Sequence, residues 1–311
     1  MGLRELLGER LDDPEAGGRF LSPSRVFAGH SSPMQHARRQ PHRPGAGPDP
    51  GRHPFPLSPR RAIALAIVLA VLFVIAAASA PAEAGKRPPG IDVSRFQETI
   101  DWTQVRGAGI GFAFAQASRG SGADCAVVPE SCGPDPYWAA NYAGAKANGV
   151  RVGPYHRAFV GGSDRATVVQ DAATEAGVFI GSVRATGGLV RGDLRPALDL
   201  ETPFAGLTPK QLALWVRVWV KRVRGALGAR PIIYTNATSW AATGNTREFA
   251  RSKHPLWVAN WNVRKPVVPA QNWAGKGWAV WQWTSSGTVA GISGRVDMNR
   301  LRVKLGKLLV R

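Results

Sequence analysis

From Gly90 to Asn299 short apolar runs of β type alternate with segments of helical type, and no other feature limits the possible folds as much. Gly90–Ser94, Gly111–Ser118, Arg151–Arg157, Pro196–Glu201 and Pro231–Asn236 read as strands. Helices are expected near Trp102–Ala108, Tyr137–Asn148, Asp164–Ile180 and Thr208–Leu227. Gly149 is placed to end one of them, Asp164 to cap another, and Thr208-Pro209 to start the last. After a partly helical stretch, Leu256–Trp261, Trp278–Trp283 and Gly294–Asn299 read as strands with little helix between them. Such alternation implies an α/β fold with a parallel sheet and helices outside. Eight strands imply closure into a barrel, irregular over its last three strands, with chemistry at the carboxyl ends of the strands.

Four carboxylates fall in or at the ends of these β runs, where acids are normally depleted. Asp199 and Glu201 close the run Arg195-Pro196-Ala197-Leu198-Asp199-Leu200-Glu201. In a strand, residues i and i+2 point the same way, about 6.5 Å apart. Two carboxylates so placed repel, and loss of solvent raises at least one pKa. The result is a proton donor beside an ionised partner, as cleavage of a glycosidic bond requires. Asp92 lies in the first run and Asp297 in the last. First and last strands are neighbours in a closed barrel, so these two acids are expected close together. The plain alternatives are an ordinary polar strand exit and a salt-bridged barrel mouth, with Arg295 and Arg300 nearby.

Aromatic residues supply the other half of a sugar site. All 11 tryptophans lie between Trp102 and Trp283. Sugar rings pack their C–H faces on aromatic planes while their hydroxyls need polar partners. Trp261 and Trp283 are the candidate platforms, with Trp281 and Trp283 on one strand face. Tyr155, Tyr234, Asn236, Asn260 and Gln282 are candidate hydrogen-bonding partners near strand ends. Trp215 and Trp219, at helical spacing, belong to the core.

The chain has 311 residues, and those before Gly85 read differently. Residues 1–61 are rich in Pro, Gly, Arg and His without apolar periodicity, which implies disorder. Residues 62–84 follow Arg60-Arg61 with an unbroken small or apolar run, Ala62 to Ala80, and then Ala82-Glu83-Ala84. This reads as an export signal with its cleavage site, or, if uncleaved, as an inner-membrane anchor. Translation from Met34 would leave a shorter basic leader. The expected location is therefore outside the cytoplasm, secreted or periplasmic. Residues 85–311 form the one folded domain, in which Cys125 and Cys132 could join as a disulfide across a short loop.

The chain carries a net charge of +19. A basic exported protein is drawn to anionic wall polymers and membrane surfaces. Nucleic acid is not expected as a partner, because no helix-turn-helix, zinc or RRM signature accompanies the charge. With only His156 and His254 in the domain, no metal site is expected, and no cofactor. No G-x-S-x-G elbow and no phosphate loop is present. A monomer is expected.

These residues resemble glycoside hydrolase family 25, the N-acetylmuramidase-type lysozymes, from about Gly90 to Arg300. The likeness rests on Gly90-Ile91-Asp92-Val93-Ser94, Gly153-Pro154-Tyr155-His156, Asp199-Leu200-Glu201 and Ile233-Tyr234-Thr235-Asn236. It continues through Leu256-Trp257-Val258-Ala259, Trp281-Gln282-Trp283-Thr284 and Val296-Asp297-Met298-Asn299. The resemblance implies an irregular TIM-like (β/α)5(β)3 barrel and cleavage of the β-1,4 bond between N-acetylmuramic acid and N-acetylglucosamine in peptidoglycan. It also implies Glu201 as proton donor and an ionised Asp199 as base or acetamido-orienting partner. Asp92 and Asp297 would be the acids of the groove floor, and Tyr155 a substrate contact. The sequence departs from the family pattern around Gln116, at Arg119 and at Arg157, where an aromatic is usual. Two rival readings are a non-catalytic wall-binding protein of the same fold and a barrel hydrolase acting on another glycan. A third is a basic polyanion-binding protein with no enzymatic role.

Overall fold

The computed structural model describes residues 87–121, 132–204 and 206–311. The leader 1–61, the export segment 62–84 and Cys125 of the expected disulfide lie outside the described residues. Among the described residues, no helix is long and apolar enough to cross a membrane.

The first half alternates β1 (Gly90–Val93), α1 (Trp102–Gly107), β2 (Phe112–Arg119), β3 (Gly133–Pro134), α2 (Trp138–Ala147), β4 (Arg151–Arg157) and α3 (Arg165–Ala185). The second half runs β5 (Ala197–Asp199), α4 (Pro209–Leu227), β6 (Ile232–Thr235), α5 (Ala237–Ala241), α6 (Glu248–Arg251), β7 (Leu256–Ala259), α7 (Pro269–Ala274), β8 (Val280–Gly287) and β9 (Val296–Leu301). Eight strands close on themselves in the order β1-β9-β8-β7-β6-β5-β4-β2, with β2 pairing back to β1.

Local chemistry fixes the element ends. Thr208 caps α4 by a reciprocal box with Gln211, Pro209 takes its first turn, and Gly228 ends it at φ 70°. Asp164 caps α3 in the same way, through Thr167. That helix runs past the expected Ile180 to Ala185, because burial of Phe179 and Val183 outweighs the low helix propensity of Gly181. At the start of β1, a side chain on Gly90 would collide with the Phe112 ring, 2.2 Å from a built Cβ.

Three features differ from expectation. β9 runs antiparallel to both β1 and β8, because the loop from β8 to β9 is a hairpin too short for a crossover. β3 is an extra short strand, antiparallel to β2. β5 ends at Asp199, so Glu201 lies beyond the ladder. The β7–β8 connection holds no right-handed helix: Ala270–Ala274 have φ of 51° to 54°, a left-handed turn pinned by the buried Trp273, whose indole N–H donates to the His254 carbonyl at 2.8 Å.

The strands' alternation divides the core in two. Outward residues such as Ile91, Val93, Ala113, Leu198 and Ile233 pack against the helices. Inward residues Phe112, Phe114, Ile232, Trp257 and Val280 fill the barrel, and Leu305 and Leu308, after β9, close its far end.

Candidate active site

The same alternation brings the acids together. Asp92, Asp199 and Asp297 share inward parity with Phe114, Ala197 and Leu301 of their own or neighbouring strands, and Glu201 follows Asp199 by two. Tyr155 on β4 and Tyr234 on β6 stand between them. Burial pushes the Tyr234 hydroxyl well up, and the charges of Glu201, Asp199, Asp92 and Asp297 push it further. Tyr155 is raised by burial and then by Asp92, Asp199 and Asp297. The four acids predicted from sequence therefore converge on one open end of the barrel.

Arg157, two residues after Tyr155, points to the same face and binds both members of the Asp-x-Glu pair. Its Nη1 lies 3.3 Å from Asp199 Oδ1 and 3.1 Å from Glu201 Oε2. Glu201 is the more exposed, with 27% of its side chain open to solvent against 12% for Asp199. Burial pushes Asp199 up to about 8, with Arg157 working against it and Glu201 with it. Burial thus works against the ionised Asp199 that the sequence implies, and the Arg157 contact works for it. Arg119, the cross-strand neighbour of Arg157, adds a further positive field at Asp199, and both guanidinium groups lie over the Phe159 ring at 4.8 and 5.9 Å.

On the opposite wall, Gln282 joins three groups. Its Nε2 donates to both Asp92 oxygens at 3.0 and 3.1 Å, while its Oε1 accepts from Tyr234 at 2.9 Å and from the Trp261 indole at 3.0 Å. Asn299 donates to Asp92 at 2.6 Å and accepts from Trp257 at 2.7 Å. Asp92 is raised well above its usual range by burial and by Asp297, which is itself pushed up to about 6 by burial. Trp261, 46% exposed, stands at this rim as a free aromatic face.

Two expected contacts spend their side-chain oxygens on local structure, and a third faces outward. Asn236 spends its side-chain oxygen on the Ser239 N–H, 2.8 Å away, capping α5. Asn260 Oδ1 accepts from Val267 N at 2.9 Å and braces its own loop. Trp283 has the outward parity of Trp281, opposite to Gln282, and packs against the helical layer under Arg300, 4.2 Å above its ring. Sequence reasoning missed the roles of Arg157 and Asn299, although each stands two residues from a residue it did select.

Behind the site lies a sealed polar chain. Ser118 Oγ is 2.8 Å from His156 Nδ1, and His156 Nε2 is 2.7 Å from Glu175 Oε2. Both Glu175 oxygens accept from Phe159 N, which fixes the platform under the two arginines. Burial drives His156 down to about 3 and Glu175 well up, so neither charge is favoured. His156 lies against Trp219 with ring centroids 5.6 Å apart, which makes it a core residue. Among the described residues, no group of three His, Cys, Asp or Glu side chains is placed to hold a metal.

Comparison with known proteins agrees with this geometry. The pattern of Glycosyl hydrolases family 25 matches residues 91–292. Lysozyme M1 of Streptomyces globisporus is 30% identical over 221 residues, covering 71% of this chain and 69% of that protein. The N,O-diacetylmuramidase of Chalaropsis sp is 26% identical over 224 residues, covering 67% and 95%. Among solved structures, the bacterial lysozyme from Streptomyces coelicolor superposes with a TM-score of 0.59 at 31% identity, covering 71% of this chain and 94% of that one.

Proposed function

The chain belongs to glycosyl hydrolases family 25 and is a glycoside hydrolase of the muramidase kind, and from that premise we propose an exported enzyme that cleaves the β-1,4 bond between N-acetylmuramic acid and N-acetylglucosamine in peptidoglycan. The observation that carries this reading is the Asp199–Glu201 pair, held by one guanidinium nitrogen at the open end of the barrel. Glu201, outside the ladder and nearer solvent, is the general acid. It passes its proton to the glycosidic oxygen as the bond to the muramic acid C1 breaks, which frees the C4 hydroxyl of the leaving sugar. Asp199, deeper and two residues earlier, serves as base or orients the 2-acetamido group. Asp92 and Asp297 form the floor, and Tyr155, Tyr234 and Trp261 offer ring faces and hydroxyls to the sugar.

A second assignment of the donor has its own support. Burial pushes Asp199 up to about 8, the direction that a proton donor requires. Mass analysis of fragments from purified peptidoglycan, digested by wild type, Glu201→Gln and Asp199→Asn, separates the assignments. Muramic acid reducing ends that vanish only with Glu201→Gln support the first. Their loss with Asp199→Asn alone supports the second. Glucosamine reducing ends, or no ends from wild type, would overturn the reading in favour of another glycan or a non-catalytic wall binder.

Export rests on the segment 62–84, cleaved or retained as an anchor, and places the enzyme on the wall side of the inner membrane. Its excess of basic residues gives it affinity for anionic polymers there.

A further inference from the structure

Acidic side chains in the described residues are sorted along the barrel axis, while cations stand at both ends, with Arg165, Lys210 and Arg295 among those on the mouth side. Strand beginnings and helix ends share the pole opposite the mouth, and the antiparallel β9 ends there too. Arg151 opens β4, Arg184 and Arg224 lie in the last turns of α3 and α4, and Lys304 and Lys307 follow β9; all five are exposed. Just before β5 and β6, Arg195 Nε donates to the Arg230 carbonyl at 2.6 Å. Burial and the Arg230 charge push Arg195 down to about 10. Arg195 Nη2 and Arg230 Nε are buried without a protein acceptor. The one acidic side chain at this pole among the described residues is Asp193, neutralised by Lys146 at 3.0 Å. The acids gather at the other pole: Asp92, Asp199, Glu201 and Asp297 at the mouth, with Asp101 and Asp164 capping helix starts there.

The chain also arrives at the basic pole. β1 begins there, and the apolar run Ala62–Ala80 is joined to it by nine residues, which reach at most about 30 Å. We propose that this pole docks on an anionic phospholipid surface and holds the acid-lined mouth away from the bilayer. The cations sit on the ends of several separate elements around one end of the barrel, a layout that meets a charged plane rather than a single polymer strand. Lipid phosphates would meet the exposed Arg151, Arg184, Arg224, Lys304 and Lys307, and the mouth would face the wall.

The test compares the full-length chain with an Arg224→Glu, Lys304→Glu, Lys307→Glu variant on phosphatidylcholine vesicles with and without phosphatidylglycerol. The basic leader and the apolar run are common to both proteins, so they cancel. Wild type should bind the anionic vesicles at least about tenfold more tightly than the variant at low salt, and the gap should close at high salt. Hydrolysis of soluble glycan fragments should be equal, which keeps this result separate from any failure of the proposed activity. Equal binding of the two proteins to anionic vesicles would overturn the proposal. A difference seen only with a soluble anionic wall polymer would also overturn it, in favour of that partner.

Discussion

Asp92 and Asp297 stand directly opposite each other across the antiparallel β1–β9 pair. Like charges in that position repel at short range. Burial and Asp297 hold Asp92 well above its usual range, while the Gln282 and Asn299 amides, donating to its oxygens, work the other way. The floor of the site is therefore a close pair of carboxyl groups, each with its proton affinity raised by burial.

The contributions of Asp297 and Asp199 to stability should fall as pH rises from about 4 to about 8, opposed below about 6.5 by His156 and His254, which burial holds near 3 and 4. Asp297 at about 6 and Asp199 at about 8 hold their protons more tightly in the fold than in the unfolded chain, where Asp titrates near about 3.9. At both carboxyls the folded state then binds more protons across that window, so each upward step in pH weakens their contribution. Denaturant midpoints should show the decline above about 6.5, where the histidines no longer oppose it, and comparison with the variants isolates each Asp below that. Against wild type, Asp297→Asn should take away the fall due to Asp297 in the lower part of the range and Asp199→Asn that due to Asp199 in the upper part. Wild-type and Asp199→Asn curves that run parallel would remove the assignment for Asp199.

Arg157 restrains the rise of Asp199. Arg157→Met should move the limb of the pH–activity profile that depends on Asp199 to higher pH, and Arg157→Lys should return it part of the way. Profiles of kcat/KM against pH decide this. A uniform loss of activity with an unmoved profile would mean that Arg157 only supports the fold.

Glu201→Gln should keep the melting temperature within a few degrees and cut glycan cleavage by roughly two to four orders of magnitude. The readout is release of reducing ends from purified peptidoglycan. Activity near the wild-type level would place the proton donor elsewhere.

Glu175→Ala should destabilise the domain by about 1–3 kcal/mol for each partner it orphans, namely the His156 ring and Phe159 N. It should also loosen the Phe159 platform and so weaken activity. Glu175→Gln keeps an acceptor for Phe159 N and should cost less. Chemical denaturation of the two variants tests the ordering, and equal losses would contradict it.

Much of the site was legible because period-two arithmetic survives folding. Asp92, Tyr155, Asp199 and Gln282 fall at inward positions of runs that are apolar enough to be recognised as strands. Trp283 was misplaced by the same arithmetic applied too loosely, since it shares a face with the buried Trp281 and not with Gln282. Asn236 carried a helix-start signal, Asn-Ala-Thr-Ser, that competed with its reading as a sugar contact. The direction of β9 depends on the length of a hairpin loop, and apolar pattern does not encode it. The upward push on Asp199 could not be foreseen either, because desolvation is set by packing from strands remote in sequence.

Leu305 and Leu308 cork the barrel at the pole away from the acids. The catalytic end is thus a cup with a floor, and no polymer can thread through it. Whatever polymer reaches the acids has to approach from the open end and leave by it, so the far pole is free for other contacts.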